Sequence, residues 1–381
     1  MVFQFRLAAG STYSRLMISE IRKHFSSHDA MALVAFGVFV LALLLPNPTW
    51  WVAAVFGLFL AVGISAAVHS AEVLAQKLGP SLGTLILALA VTVIEVALIV
   101  SLMANKSPES ATVARDTVFA AIMIVTNGII GVCILLGGIR HKELGFQPMG
   151  TSALLSILVA LSAFSFVLPN YTTSSAGPTY TASQLIFVSV VSLVLYGSLV
   201  WAQTKSHKSY FVALKETDLT KEEAESYVPS QLRAWMSFGI LLLALVTVVG
   251  LAKILSPSIE AAVAAAGAPR AVVGIVIALL VLAPETLAAV NAARVNQLQT
   301  SLNLALGSGA ASVALTIPVV SVYSIITDSP LSLGLDAKST ALLVLTFVAG
   351  SLTFGVGRST ALHGIVHLMI LFAYVALALM P

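Results

Sequence analysis

Apolar segments long enough to cross a lipid bilayer recur along almost the whole chain, and they limit the fold more than any other feature. A helix needs about 20 apolar residues to cross the hydrocarbon core of a membrane. The polar stretches between these segments are too short to build a core of their own. Only 9% of the residues are charged, whereas a soluble domain carries roughly 25%. The sequence therefore predicts an all-α polytopic membrane protein.

Charged residues and clusters of Pro, Asn, Gly and Ser separate eleven predicted transmembrane helices. The first of them is the shortest, and a Pro-Asn-Pro-Thr sequence separates it from the second. The predicted spans are residues 30–45, 50–68, 83–104, 116–139, 149–168, 182–203, 234–254, 271–292, 300–323, 338–356 and 361–380.

Basic residues are distributed unequally between the two predicted faces of the membrane. If residues 1–29 form a cytosolic N-terminal segment, the cytosolic segments hold 14 of the 19 Lys and Arg residues. Because cytoplasmic loops are enriched in Lys and Arg, this predicts a cytosolic N-terminus and an external C-terminus. We expect an integral protein of a bacterial inner membrane. The net charge of only +3 gives no reason to expect a nucleic acid as a partner.

A polar linker at residues 204–232 divides the helices that follow the first one into two sets of five. The first set lies within residues 50–203 and the second within 233–381, after the single helix at 30–45. Because five is an odd number, the two sets must cross the membrane in opposite orientations. Such inverted repeats place a transport site at the mid-membrane interface between them. The linker carries five acidic residues, which we interpret as part of a tether or of a surface that gathers cations: Glu216, Asp218, Glu222, Glu223 and Glu225.

One glutamate lies deep in an apolar helix of each repeat. Glu95 and Glu285 follow Gly83 and Gly274 by about the same distance, in segments of similar sequence. An ionised carboxylate at mid-membrane is costly unless it is protonated, paired or bound to a cation. No Lys or Arg lies in the central turns of a predicted helix, so we interpret the pair as a site for protons or for a hard cation such as Ca²⁺ or Na⁺. The alternative is a structural glutamate hydrogen-bonded to a neighbouring helix.

The helix that follows each glutamate is also repeated, at a constant offset. Asn127 of the first repeat corresponds to Ser312 of the second, and Met123 corresponds to Ser308. Because related positions are three or four residues apart, each set lies on one helical face. The face of the helix in the second repeat carries both Ser308 and Ser312, and small residues such as Ser308 at this place fit cation coordination. For Ser308 the alternative is close packing of small residues.

Two residues on the glutamate helices themselves are further supporting candidates. Thr92 lies one turn before Glu95, and Pro284 lies directly before Glu285. Proline removes a backbone donor, so Pro284 either frees a carbonyl for a cation or only kinks the helix.

Three titratable residues outside this pair are candidates for a proton relay or a gate. His69 and Glu72 lie at the predicted cytosolic end of the second helix, where a solvated helix end is the alternative. His367 follows His363 by one turn, a spacing compatible with a metal site. The segment lacks the glutamate of the HExxH metalloprotease motif, so polar packing or a proton relay is favoured.

These motifs resemble the calcium/cation antiporter superfamily, and within it the Ca²⁺/H⁺ exchangers of the ChaA and CAX type. The resemblance covers nearly the whole chain from Met31 onwards. Its first carrier is the segment from Ala71 to Ser101. Its second carrier runs from Val281 to Pro318 and includes the sequences Val-Leu-Ala-Pro-Glu and Leu-Gly-Ser-Gly. Thr92 and Leu282 stand where the family commonly has asparagine, three residues before each glutamate.

The resemblance implies a secondary active antiporter that exchanges cytosolic Ca²⁺, or Na⁺ or K⁺, for protons. Glu95 and Glu285 would bind either the cation or the protons. Asn127 and Ser312 would lie at the supporting polar positions of the family on the following helices, and these neutral residues favour proton coupling. The implied partners are these ions and the lipid bilayer, with no cofactor, and a homo-oligomer is left open. A passive cation channel and an intramembrane enzyme are the alternative functions.

Overall fold

A computed structural model describes residues 26–45, 48–78, 80–104, 110–211, 229–267, 269 and 271–380 of the protein. Most of these residues are helical, and each of the eleven predicted transmembrane segments overlaps one helix. The helices are α1 (Ser27–Ala42), α2 (Trp50–Leu78), α3 (Pro80–Met103), α4 (Ser110–His141), α5 (Pro148–Tyr171), α6 (Ala182–Ser206), α7 (Gln231–Ala265), α8 (Ala271–Arg294), α9 (Leu298–Thr327), α10 (Ala337–Phe354) and α11 (Ala361–Leu379).

Eight of the described helices are long and apolar enough to span a membrane, namely α2, α4, α5, α6, α7, α9, α10 and α11. Helix α8 is bent by 56° between Val272–Ala283 and Glu285–Arg294, and it adds a ninth span if its two parts are counted together. Helix α1 and the part Thr92–Met103 of α3 are shorter apolar helices. The predicted all-α polytopic architecture is confirmed, whereas the count of eleven spans and the division into inverted repeats stay predictions.

The first helix begins earlier than the sequence boundary between residues 29 and 30 suggests. Ser26 caps α1, because its hydroxyl accepts a hydrogen bond from the backbone N–H of Asp29 while the Asp29 carboxylate accepts one from the backbone N–H of Ser26. This reciprocal capping satisfies two backbone donors at the helix start. The helix therefore begins at Ser27 and takes a charged residue into its first turn.

Asp29 also forms a buried ion pair with Arg233 in the first turn of α7. The two side chains are 0% and 5% exposed, and Arg233 donates a further hydrogen bond of 3.3 Å to the hydroxyl of Ser26. On the adjacent helix α2, the ring of His69 stacks on that of His28 with centroids 4.1 Å apart. The N-terminal turn of α1 is thus fastened both to α2 and to α7, one helix from each predicted repeat.

The buried apolar side chains form two separate clusters. The larger core contains residues of α4, α5, α6, α9, α10 and α11, and the smaller core contains residues of α1, α2 and α7. Helices α3 and α8 contribute to both cores. Helix α3 places Ile99 in the larger core and Ile94 in the smaller one, and α8 places Leu282 in the larger core and Val281 in the smaller one. The two glutamate helices therefore lie at the boundary between two packed bodies.

Helices α4 and α11 pack closely because glycines line their contact. A Cβ atom on Gly364 would lie 2.6 Å from the backbone nitrogen of Leu135 and 2.8 Å from the carbonyl oxygen of Gly131. Small residues allow this kind of close approach between helices in a membrane. At one end of the pair, the strand β1 (Glu143–Gly145) runs antiparallel to β2 (Arg358–Thr360). The C-terminal end of α4 and the N-terminal end of α11 therefore lie on the same side of the molecule.

Candidate functional site

Glu95 is buried in α3 against helix α9. Its side chain is 3% exposed, and its Oε1 accepts a hydrogen bond of 2.6 Å from the hydroxyl of Ser312. Thr92, one turn earlier on α3, is 4% exposed. A carboxylate from the first predicted repeat is therefore held by a hydroxyl from the second.

Glu285 is held in a similar way by the same helix. It is 6% exposed, and its Oε1 accepts a hydrogen bond of 2.7 Å from the hydroxyl of Ser308. Its other oxygen, Oε2, is buried without a hydrogen-bond partner among the described residues. Glu285 directly follows the bend of α8, which lies at the position of Pro284. The helix does bend where proline removes a backbone donor, while a role of the preceding carbonyls as cation ligands stays a prediction.

The two carboxylates meet adjacent turns of one helix. Ser308 and Ser312 are four residues apart on α9, which corresponds to a rise of about 6 Å along the axis. Among the ion pairs of the described residues, none includes Glu95 or Glu285. Carboxylate and hydroxyl oxygens are ligands that hard cations accept. The cluster of two glutamates and two serines can therefore hold a cation or protons.

Asn127 is buried, and its hydrogen-bond partners are residues other than the two glutamates. It belongs to a π-helical turn, Ile124–Ile129, within α4. Its Nδ2 donates a hydrogen bond of 2.9 Å to the hydroxyl of Thr346, and its Oδ1 lies 3.1 Å from Nδ1 of His367. Within the described part of the chain, no hydrogen bond joins Asn127 to Glu95 or Glu285. The structure therefore directs the hydrogen bonds of Asn127 elsewhere, whereas the supporting roles of Thr92 and Pro284 stay predictions.

His367 is fully buried in α11, between α4 and α10. Its Nε2 lies 3.1 Å from the hydroxyl of Thr353, and its ring stacks on that of Phe354. His363 instead contacts the backbone N–H of Thr360 at the start of α11. No group of three His, Cys, Asp or Glu side chains among the described residues could hold a metal ion, so the metal alternative for His363 and His367 finds no support there.

His69 and Glu72 lie within α2, nine and six residues before its end at Leu78, so the helix continues past the end expected from the sequence. Their side chains are 31% and 49% exposed and approach to 3.8 Å. Their role as a relay or gate stays a prediction. The five linker acids lie outside the described residues.

A cavity of about 180 Å³ opens between the N-terminal ends of α4 and α10 and the C-terminal end of α11. Its acidic residues already have partners: Arg115 Nε donates to Asp116 at 2.8 Å. Burial raises the pKa of Asp336, but hydrogen bonds from Ser339 and the charges of Lys338 and Arg115 outweigh this effect and hold the pKa below its ordinary value. The cavity therefore does not form a second acidic site for a cation.

Comparison with known proteins identifies the family. A sequence model of the family described as sodium/calcium exchanger protein matches residues 48–205 and 236–380. The chain belongs to this family. The family is one of transporters, so the predicted resemblance is confirmed and the intramembrane enzyme is excluded. The protein is an integral membrane transporter of the cation antiporter class.

Three proteins show the range of similarity within this class. The y4hA protein of Sinorhizobium fredii (strain NBRC 101917 / NGR234), provisionally named an ionic transporter, is 42% identical over 318 residues, covering 84% of this chain and 86% of y4hA. The sodium-potassium/proton antiporter ChaA of Escherichia coli (strain K12) is 32% identical over 215 residues, 56% of this chain and 58% of ChaA. The structure of native YfkE, a Ca²⁺/H⁺ antiporter, superimposes with a TM-score of 0.71 at 16% identity and covers 93% of this chain and 100% of YfkE. The last similarity concerns the fold alone.

Several contacts in and around the site are not predicted from the sequence. The partners of Asn127 and His367 on α10, Thr346 and Thr353, are seven residues apart and therefore share one face of an apolar helix. That spacing is the signal that could have identified them. The pairing of Asp29 with Arg233 joins residues about 200 positions apart in sequence and has no local signal.

Proposed function

We propose that the protein is a secondary active antiporter that exports Ca²⁺ from the cytosol in exchange for protons, and that Glu95 and Glu285 bind both. The observation that carries this proposal is the meeting of two buried carboxylates on adjacent turns of α9, each with one serine donor. A buried carboxylate with so few partners requires a proton or a cation to compensate its charge.

Charge balance explains why such a site exchanges ions. Two ionised carboxylates compensate the charge of one Ca²⁺, and two protons compensate the same two carboxylates. Either loaded site is close to neutral and can be moved through the apolar interior, whereas the empty site carries two charges and cannot. Obligatory exchange follows from this difference.

The serine hydroxyls suit both loaded states. A hydroxyl donates one hydrogen bond and also accepts, so Ser308 and Ser312 can donate to an ionised glutamate and accept from a protonated one. Ca²⁺ takes about six to eight oxygen ligands, more than two carboxylates and two hydroxyls supply. We assign the remaining protein ligands to Thr92, to Asn127 and to carbonyls freed by Pro284.

The two hydrophobic cores suggest how the site changes the side to which it opens. Helices α3 and α8 carry the glutamates and pack against both bodies. A displacement of α1, α2 and α7 relative to the larger core would move one wall of the site and leave α9 in place. Rocking of this kind around a fixed mid-membrane site gives alternating access.

The proposed orientation has the N-terminus in the cytosol of a bacterium and the C-terminus outside its inner membrane. Besides the distribution of Lys and Arg, the pairing of β1 with β2 supports it. This pairing brings together the segments near Lys142 and Arg358, both of which the sequence assigns to the cytosolic side. An assembly of identical subunits is compatible with this orientation.

The substrate preference is the second part of the proposal. The description of the family names both sodium and calcium, and the similarity to ChaA makes Na⁺ and K⁺ the alternative to Ca²⁺. Oxygen ligands accept all of these ions, and the geometry of the occupied site decides among them.

Purified protein in liposomes with an imposed pH gradient tests the proposal. Wild type should move Ca²⁺ against its own gradient at the expense of the proton gradient, and parallel assays with Na⁺ and K⁺ rank the substrates. Glu95→Gln and Glu285→Gln should abolish the Ca²⁺-dependent proton flux. Glu143→Gln, at an exposed ion pair with Arg358, is the matched control and should be active. Normal exchange in both site variants would refute the assignment, and flux that only runs down the Ca²⁺ gradient would indicate a channel.

A further inference from the structure

A directional chain of hydrogen bonds links three helices beside the glutamate site. The hydroxyl of Thr346 donates to the carbonyl of Leu342 at 2.8 Å, so it accepts from Asn127 Nδ2. With this orientation of the amide, Oδ1 of Asn127 accepts, and His367 Nδ1 carries the proton that it receives. The ring of His367 also has a hydrogen bond with the backbone of Thr126, in the same π-helical turn. The remaining nitrogen of the ring, Nε2, accepts from the hydroxyl of Thr353. The chain fixes one neutral tautomer of His367.

The internal repeat gives Asn127 a different expected position. Its counterpart Ser312 reaches across to Glu95, the glutamate of the other repeat. By the same relation, Asn127 should reach across to Glu285, whose Oε2 lacks a hydrogen-bond partner among the described residues. The two repeats therefore differ at this contact.

The backbone of α4 accounts for the difference. The π-helical turn Ile124–Ile129 has one more residue per hydrogen-bonded ring than an α-helix, while α9 is α-helical at the corresponding residues. Val125 faces α9, since a Cβ atom on Gly309 would lie 3.3 Å from its Cγ1. Asn127, two residues later, faces α10 and α11 instead.

We propose that His367 is a positioning residue that holds Asn127 on the side of α4 facing α10 and α11, and so withholds its amide oxygen from Glu285. The inference rests on the proposed function, in which Glu285 binds the transported cation. A hard cation binds an amide through its oxygen, and this oxygen of Asn127 already accepts the hydrogen bond from His367 Nδ1–H. Binding through Asn127 would therefore first break this hydrogen bond.

Thr353 and Thr346 complete the restraint from opposite sides. Thr353 donates to Nε2 and thereby keeps the proton on Nδ1, where it meets Asn127. Thr346 accepts from the amide nitrogen and fixes the rotation of the amide group. All four side chains are almost fully buried, so water does not replace a lost partner.

His367→Phe is the informative substitution, because it keeps a ring against Phe354 and removes the N–H donor. Released from one hydrogen bond, Asn127 should become available to the cation, and the apparent cation affinity should rise by about two- to tenfold. The maximal rate should not rise with it, since tighter binding does not speed release. Affinity and rate are read separately from the Ca²⁺ dependence of exchange.

Two further variants distinguish positioning from a structural effect. The gain in affinity should vanish when His367→Phe is combined with Asn127→Leu. The single variant His367→Gln retains a hydrogen-bond donor, so its affinity should stay near that of wild type. His363→Gln, on the same helix and away from Asn127, is the control and should leave the affinity unchanged. A fall in affinity with His367→Phe, or an equal gain with and without Asn127, would overturn the inference.

Hydrogen–deuterium exchange supplies a readout that does not need transport. Loss of the restraint by His367→Phe or by Thr346→Val should speed amide exchange in residues 124–129, and unchanged exchange in both variants would overturn the inference. If wild type shows no ion exchange but these variants loosen the π-helical turn, the proposed function fails while the restraint stands. If wild type exchanges ions and both readouts are unchanged, only the restraint fails.

Discussion

Removal of Asp29 would break the buried ion pair with the guanidinium of Arg233. The pair lies in the first turns of α1 and α7, with exposed fractions of 0% and 5%. Breaking a buried ion pair from one side costs about 3–5 kcal/mol. Asp29→Leu also removes the carboxylate half of the reciprocal cap of α1. We therefore expect α1 to detach from α2 and α7 far more often than in wild type.

The single cysteine of the chain makes this detachment measurable. Cys133 is buried in α4, so a cysteine introduced at the fully buried Ala32 of α1 reports on local opening. If labelling requires α1 to open, a loss of about 3–5 kcal/mol corresponds to a labelling rate raised on the order of a hundredfold to several thousandfold. Thiol labelling in detergent over time, followed by mass spectrometry, gives the rate for Ala32→Cys with and without Asp29→Leu.

A double-variant cycle tests the electrostatic cause. Arg233→Met alone should also speed labelling, because it leaves the carboxylate buried without its partner. The combination of Asp29→Leu with Arg233→Met should recover most of the loss, since an apolar replacement of a buried pair is often neutral or stabilising. Glu143→Gln, which removes an exposed ion pair worth at most about 1 kcal/mol, is the control. Additive effects of the two substitutions, or a wild-type labelling rate in both single variants, would contradict the reasoning.

Three other predictions follow from the site, the linker and the glycine contact. Protons and the cation compete for the same two glutamates. The apparent cation affinity in the liposome assay should therefore weaken as the pH is lowered, by up to about a hundredfold per pH unit if two protons are displaced together. An affinity that is flat from about pH 6 to pH 9 would contradict competition. Neutralisation of the five linker acids should weaken the apparent cytosolic Ca²⁺ affinity at low salt and weaken it less at high salt, while the maximal rate stays unchanged. An unchanged affinity at low salt would show that the linker acts only as a tether. Gly364→Ala should destabilise the protein by about 1–3 kcal/mol through overpacking between α4 and α11, which is measured as a lower thermal midpoint. The control is Gly57→Ala, which should leave the midpoint unchanged because a Cβ atom there meets nothing within 4 Å. Equal midpoints for the two variants would refute the packing argument.

The sequence was a good guide to those parts of the fold that depend on local composition. Each apolar segment became a helix, because an apolar chain in a membrane must satisfy its backbone polar groups internally. The predicted segments are shorter than the helices where the helix ends are polar, as at Leu78 of α2 and Gln231 of α7. Helical hydrogen bonding continues there beyond the apolar residues. Pro284 correctly marked a bend in α8, because the missing backbone donor is itself a local property.

Features that depend on tertiary contacts were not predictable in this way. Nothing in the sequence around Asn127 indicates a π-helical turn, so helical spacing alone aligned Asn127 with Ser312. The structure instead turns Asn127 towards Thr346 and His367. The hydroxyls of Ser308 and Ser312 were expected near the glutamates, but the assignment of each serine to a particular glutamate required the packing of α3 and α8 on α9.

The placement of both serines on α9 makes the two halves of the molecule unequal. Each half contributes one carboxylate, but the second half contributes the hydroxyl donor to both. The corresponding positions of the first half, Met123 and Asn127, offer a thioether and an amide directed elsewhere. A dimer built from two copies of the first half would therefore lack both hydroxyl donors. The first half depends on the second for its hydroxyl donors, so co-expressed halves should complement each other only as an unlike pair.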